Sequence, residues 1–200
     1  MPKLAVEEKE ARREHILRSA LRCFARRGYH ATTVDDIAAE AGVSKGAPYV
    51  YFASKEALFQ RLYDSWDCGL AARIDAAIAR IGRRARSPRA ALEAVVTAVG
   101  DHVTEEADLC RVLIEARAQS AYAGAVADRV RLSDADAQTR MAQLIEAGIA
   151  KGEWPADTDP DLHARLVLAA IHGLMDQWHL RPGAFSWPEA AAALARRQPG

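Results

Sequence analysis

Residues 43–58 read VSKGAPYVYFASKEAL, a stretch typical of a short helix followed by a long one, yet Pro48 stands inside the short helix. Ser44 is a suitable N-cap, which makes Lys45 the first helical residue and Pro48 the fourth. The first N–H groups of a helix have no intrahelical partner, so a proline there removes at most one hydrogen bond. The stretch therefore predicts a helix over residues 45–52 that tolerates Pro48 in its first turn.

Two helix patterns precede this stretch. Residues 7–27 carry apolar side chains at three- and four-residue spacing, and Gly28 supplies a stop. Thr33 offers a hydroxyl cap to the helix that begins with VDDIAAEA, and Gly42 ends it. One long and two short helices, the last two joined by AGVS, have the spacing of a helix-turn-helix.

The rest of the chain also predicts helices. Strand signals are nearly absent, and helical periodicity continues to the end of the chain. The predicted helices span residues 55–81, 88–106, 107–122, 124–151, 160–180 and 187–197. Short capped helices give way to long apolar ones near residue 52. We therefore expect an all-α protein with one domain over 1–52 and a larger helical domain over 53–200.

Charge and cysteine content narrow the class of protein. Lys and Arg number 27, as do Asp and Glu, which argues against a DNA-compacting protein because nonspecific binding is almost entirely electrostatic. Three scattered cysteines favour free thiols in a reducing compartment. The charged first thirty residues predict no signal peptide, and the apolar run at 166–175 is too short to span a bilayer. We expect a cytoplasmic protein with no membrane partner.

The run TTVDDIAAEAGVSKGAPYVYFASKEAL at 32–58 resembles the DNA-binding signature of the TetR family of transcriptional regulators. Pro48 departs from the family pattern, where an aliphatic residue is commoner, and so does Tyr51, where His is frequent. The resemblance implies an N-terminal three-helix DNA-binding domain followed by a ligand-binding and dimerisation domain. Val43, Phe52 and Leu58 are predicted to lie in the core.

The resemblance also implies DNA contacts. Tyr49 and Tyr51 would donate to phosphate oxygens, and Lys45 would donate to guanine. For both tyrosines, simple packing is a serious alternative. The predicted DNA-binding residues are Thr33, Lys45, Gly46, Ala47, Tyr49, Tyr51 and Lys55.

The second domain is expected to hold an effector pocket and a dimer face. Residues with a polar tip on an apolar helix are candidates for the pocket, although ordinary packing or exposure is the alternative for each. The effector candidates are Trp66, His102, Cys110, Arg117, Tyr122, His172 and Met175. The dimer candidates are Leu166, Ala170, Leu174, Trp178 and Leu194. His102 and Glu106 lie four residues apart, but no third ligand accompanies them, so neither a metal nor a cofactor is predicted.

These residues predict a homodimeric, ligand-responsive repressor of a palindromic operator, in which the helix at 55–81 acts as a lever between ligand and DNA. A transcriptional activator of the same fold is the alternative. An all-helical enzyme is disfavoured because the motifs HExxH and GxxxxGK[ST] are missing from the sequence.

Overall fold

Eight α-helices and one short 3₁₀ helix make up the regular structure of the computed structural model, which describes residues 2–81, 87–119 and 124–196. Within those residues no strand occurs, and the all-α prediction is confirmed. The helices are α1 (Pro2–Arg27), α2 (Val34–Glu40), the 3₁₀ helix (Pro48–Val50), α3 (Lys55–Ile81), α4 (Pro88–Glu105), α5 (Ala107–Gln119), α6 (Ala125–Ala150), α7 (Pro160–Leu180) and α8 (Trp187–Ala195).

The helices form two compact units that are discontinuous in sequence. The described residues of Met1–Trp66 and Asp108–Val130 form the first unit, and those of Asp67–Ala107 and Arg131–Gly200 form the second. The helix-turn-helix therefore shares its unit with α5 and with the beginnings of α3 and α6. The predicted functional boundary at residue 52 lies inside the first unit.

The core of the first unit is built on the apolar face of α1. Ile16 and Phe24 of α1 are completely buried, as are Ile37 of α2 and Leu58 of α3. α1 ends at Arg27, and the following Gly28 has a φ of +79°, the left-handed conformation expected of a helix stop.

The second unit depends on close approach of aromatic rings to glycines. The ring of Trp187, at the start of α8, lies directly over Gly100 of α4, where a Cβ atom would collide with it. Trp178 and Phe185 surround that ring, at centroid distances of 6.1 and 5.1 Å. A glycine at position 100 is what allows α4 and α8 to pack this closely.

A glutamate completes the start of α4. The Ser87 hydroxyl caps the helix by accepting from the Ala90 N–H group, and the Glu153 carboxylate accepts from the Arg89 N–H group at 2.8 Å. An anion at a helix N-terminus is stabilised by the exposed N–H groups and by the helix dipole. The connection between α6 and α7 is thereby fastened to α4.

Two local predictions are wrong. No α-helix forms over 45–52: residues 45–47 form a turn, and Pro48–Val50 form a 3₁₀ helix. Phe52 and Leu58 are buried as predicted, whereas Val43 is only partly buried at the end of the turn after α2.

Candidate nucleic-acid interface

The segment at 44–52, hereafter the reader segment, is held by backbone hydrogen bonds between residues three apart in sequence. The N–H groups of Ala47, Val50 and Tyr51 donate to the carbonyls of residues 44, 47 and 48 at 2.9, 3.2 and 3.0 Å. Pro48 has no N–H group to donate back to Ser44, and it occupies the first position of the 3₁₀ helix, where none is required. The predicted Ser44 cap is wrong, because the N-cap residue is Ala47.

Burial alternates with exposure along the reader segment. Pro48 and Phe52 are buried and anchor the segment to the core. Between them, Tyr49 is 55% exposed and Val50 is 71% exposed. Tyr51 is partly buried, which suits a ring that packs along one edge and leaves its hydroxyl near water. The segment thus presents large side chains from a fixed backbone.

Thr33 forms a capping box at the start of α2. Its hydroxyl accepts from the Asp36 N–H group at 3.1 Å, and its own N–H group donates to the Asp36 carboxylate at 2.9 Å. Hydrogen bonds from Thr33 hold the pKa of Asp36 below its usual range. The predicted cap is confirmed, and it fixes the direction in which the chain enters α2.

Arginines of α1 form ion pairs with two acidic residues of α2, Glu40 and Asp36. Arg22 donates to Glu40 at 2.8 Å and Arg26 donates to the same carboxylate, which lowers the pKa of Glu40. Arg27 donates to Asp36 at 2.8 Å. These three arginines of α1 therefore dock the two helices together.

Lys45 pairs with the remaining acidic residue of α2. Its Nζ atom lies 2.7 Å from Oδ2 of Asp35, and the two side chains are 82% and 54% exposed. The hydrogen bond to Asp35 raises the pKa of Lys45, which is therefore a cation at neutral pH. Asp35 was not among the predicted site residues, although its place in the first turn of α2 was readable from the sequence.

Lys55 is engaged inside the motif. Its Nζ atom donates to the carbonyls of Tyr29 and Thr32 at 2.9 Å each and to that of His30 at 3.4 Å. The same ammonium lies 4.4 Å from the centre of the Tyr29 ring. The beginning of α3 is thereby fastened to the connection between α1 and α2, and the DNA contact predicted for Lys55 stays a prediction beside this structural role.

The effector candidates fall in both compact units. Trp66 and Cys110 are buried in the first unit, where Arg117 is partly buried. In the second unit His102 is buried, with Cε1 2.9 Å from where a Cβ atom on Gly69 would lie. His172 and Met175 are partly buried there, and Tyr122 lies outside the described residues. All seven remain predictions.

The dimer candidates differ in exposure. Leu166 is exposed, whereas Ala170, Leu174, Trp178 and Leu194 are partly buried. Trp178 also packs within its own chain, against Phe185 and Trp187. Leu162 and Leu180 of α7, which are not among the dimer candidates, are also exposed.

Two features of the described residues bear on other classes of site. No helix among them is long and apolar enough to cross a membrane. Over the same ranges, no group of three or more His, Cys, Asp or Glu side chains is placed to hold a metal ion.

Comparison with known sequences and structures matches both halves of the chain. Residues 16–62 match the family described as bacterial regulatory proteins, tetR family, and residues 88–198 match the BetI-type transcriptional repressor, C-terminal. YfiR of Bacillus subtilis, a transcriptional regulator, is 39% identical over 64 residues, which are 32% of this chain and 31% of YfiR. The regulator AcrR of Shigella flexneri is 25% identical over 194 residues, 96% of this chain and 89% of AcrR.

The fold is also that of a solved regulator. The crystal structure of FadR from Bacillus subtilis, in complex with stearoyl-CoA, superposes with a TM-score of 0.73 at 20% identity, covering 91% of this chain and 95% of that one.

The helices and the reader segment define a helix-turn-helix DNA-binding regulator. The family match at residues 88–198 alone covers more than half of the sequence, and residues 16–62 match the tetR family itself. The chain therefore belongs to the TetR family of bacterial transcriptional regulators. Members of that family are regulators rather than enzymes.

Proposed function

We propose that this protein binds a palindromic operator as a homodimer, represses transcription there and leaves the DNA when a small molecule binds. The observation that carries the proposal is the reader segment, which exposes Tyr49 and Val50 between the buried anchors Pro48 and Phe52. A rigid segment of this kind can enter a major groove without the cost of ordering a loop. Two copies related by twofold symmetry would meet two half-sites.

Each predicted DNA residue has a role in this proposal. The hydroxyls of Tyr49 and Tyr51 donate hydrogen bonds to phosphate oxygens, while Lys45 lies at the end of the segment that meets base edges. Gly46 and Ala47, which precede the 3₁₀ helix, allow the backbone to approach the groove closely. Thr33 and Lys55 keep the connection between α1 and α2 in position through the hydrogen bonds described above.

The proposed dimer face is α7. Leu162, Leu166 and Leu180 are exposed to 56, 62 and 82%, and they are spaced by four and fourteen residues, close to whole helical turns. Several large exposed apolar side chains on one helix face are typical of a protein interface. Ala170, Leu174 and Leu194 would lie at the margin of this face, with Trp178 held mainly by its own chain.

Two comparisons support repression and ligand release. The match at 88–198 is to the C-terminal region of a repressor, and FadR, similar in fold, was crystallised with stearoyl-CoA. A ligand releases DNA only if it binds more tightly to the conformation that fits the operator poorly. The continuous helix α3, which runs from Lys55 in the first unit to Ile81 in the second, is the proposed lever.

Operator binding is tested by selecting duplexes from a random-sequence library with the purified protein. We expect enrichment of one palindrome that outcompetes a scrambled duplex of equal length at moderate salt. Equal affinity for both duplexes would contradict the proposal.

Ligand release is tested on that operator complex. Stearoyl-CoA is the first probe, followed by small molecules that remain bound through purification and are identified by native mass spectrometry. We expect a bound compound to lower operator affinity at least tenfold. Saturating binding without a change in DNA affinity would contradict the coupling.

Repression is separated from activation by a reporter gene placed behind the selected operator. We expect expression to fall when the protein is supplied, and a rise would identify an activator.

A further inference from the structure

The ion pair between Lys45 and Asp35 joins the two recognition elements of the helix-turn-helix. Asp35 stands in the first turn of α2, and Lys45 stands in the turn before the 3₁₀ helix. Lys45 is the only charged residue from Ala41 through Ser54. Its partner therefore decides the charge that the reader segment presents to DNA.

The acidic residues of α2 divide by partner. Asp36 and Glu40 bind arginines of α1 and fasten α2 to α1. Asp35 instead accepts a hydrogen bond from Lys45 of the reader segment, and both side chains are exposed to solvent. An exposed pair contributes little to folding, so Asp35 is not needed to hold α2 in place.

We propose that Asp35 determines base specificity by holding the Lys45 ammonium, and that the two side chains together read a G·C base pair. This inference rests on the operator binding proposed above. A lysine donates to guanine O6 or N7, and an aspartate accepts from cytosine N4. The major-groove edge of a G·C pair places those acceptors beside that donor. The ion pair, with its charged atoms 2.7 Å apart, offers the complementary order of donor and acceptor.

The same pair disfavours DNA without that base pair. Phosphates attract Lys45 but repel Asp35, so the pair gains little from a uniform backbone. An unpaired lysine at this position would bind any phosphate. Asp35 is thus expected to lower nonspecific affinity while sharpening the preference at one position of each half-site.

The experiment compares Asp35→Ala with the wild-type protein on the selected palindrome and on its scrambled duplex. For the wild type, replacing the critical G·C pair in each half-site by A·T should weaken binding about 5- to 100-fold. In Asp35→Ala we expect this ratio to fall at least threefold. Affinity for the scrambled duplex should rise roughly three- to tenfold near 0.1 M salt, with a salt slope steeper by about 0.9 per protomer.

Asp136→Ala is the matched control. Asp136 forms an exposed ion pair with Arg140 on α6, in the second unit, so its removal changes the net charge equally. We expect no change in the G·C preference of this variant. Lys45→Ala provides a second comparison, because two side chains that read one base pair as a unit should lose less preference together than the sum of the two single substitutions.

The outcomes separate the two proposals. Failure of the wild-type protein to enrich any sequence would overturn operator binding, and this inference with it. An enriched operator would overturn this inference alone if no half-site G·C pair were critical, if Asp35→Ala matched Asp136→Ala, or if the effects of Asp35→Ala and Lys45→Ala on the preference were simply additive in the double variant. Circular dichroism of each variant verifies that the fold is retained.

Discussion

Single side chains at the start of α3 hold the helix-turn-helix together. Lys55 places one ammonium against three carbonyls and the Tyr29 ring, and the Tyr29 hydroxyl donates to Glu56 at 3.2 Å. Burial is the main cause that raises the pKa of Tyr29, so its hydroxyl stays protonated and remains a donor. Lys55, which is predicted to contact DNA, is thus also a structural residue.

Lys55→Met is expected to lower the free energy of unfolding by about 1–3 kcal/mol, because three carbonyls lose a charged donor. Denaturant unfolding at fixed protomer concentration measures the change. Lys9→Met, at an exposed position of α1, should stay within about 0.5 kcal/mol of the wild type. If Lys55 acts by holding the connection, the salt slope of DNA binding is unchanged; a slope shallower by about 0.9 per protomer would assign it a phosphate contact.

At the scale of elements, α1 and α2 are joined by charge as well as by apolar packing. Hydrogen bonds from Arg22 and Arg26 hold the pKa of Glu40 below its ordinary value, and those from Thr33 do the same for Asp36. Carboxylates of lowered pKa stabilise the folded state above their ordinary pKa near 4, and this contribution is lost as the pH falls through the lowered value.

Acid should therefore weaken the helix-turn-helix. We expect the denaturant midpoint of the wild-type protein to fall progressively below about pH 4.5, and Glu40→Gln to be less stable at pH 6 with a flatter dependence on pH. Urea titrations monitored by circular dichroism between pH 3 and pH 6 measure both. Glu146→Gln, at an exposed position of α6, controls for the loss of a carboxylate as such. An identical pH dependence in Glu40→Gln and Glu146→Gln would contradict the prediction.

The packing of α4 with α8 makes a second prediction for an element. In Gly100→Ala the new Cβ atom would meet the Trp187 ring, whose neighbours Trp178 and Phe185 leave it little room to move. We expect a loss of about 1–3 kcal/mol in unfolding free energy, measured by denaturant titration. Gly46→Ala, with nothing within 4 Å, is the control and should be nearly neutral for stability. Equal stability of the two variants would show that α8 adjusts.

Local rules predicted most elements, because their signals lie within one turn of the chain. Thr33, Gly28 and Gly42 could be placed from the sequence since a cap or a left-handed glycine acts on its nearest neighbours. The 3₁₀ helix was missed because its form depends on burial of Pro48, which is set by tertiary packing. The partners of Lys55 were missed because they lie 23–26 residues upstream.

At the scale of the whole molecule, the exposed leucines of α7 predict where two copies of the chain would form a dimer. Leu166 of α7 is 62% exposed, and Leu132 of α6 is 68% exposed. Leu166→Glu should dissociate the proposed dimer, because a charge buried in an apolar interface without a partner is costly. Sedimentation equilibrium should show at least a tenfold weaker dimer, together with weaker operator binding. Leu132→Glu makes the same chemical change outside the proposed face and should leave the dimer intact, so equal dissociation by both would remove α7 as the interface.

The composition of the first compact unit has a consequence for engineering. To join the DNA-binding part of one regulator of this family to the ligand-binding part of another, the sequence alone suggests a junction at residue 52. Such a junction would separate the connection between α1 and α2 from Lys55 and Glu56, and it would also remove α5, whose Glu115 lies against Gly28. A hybrid that keeps residues 108–130 from the same parent as residues 1–66 should fold more reliably than one cut at residue 52. We therefore expect the transferable DNA-binding module of this protein to consist of two segments of sequence rather than one.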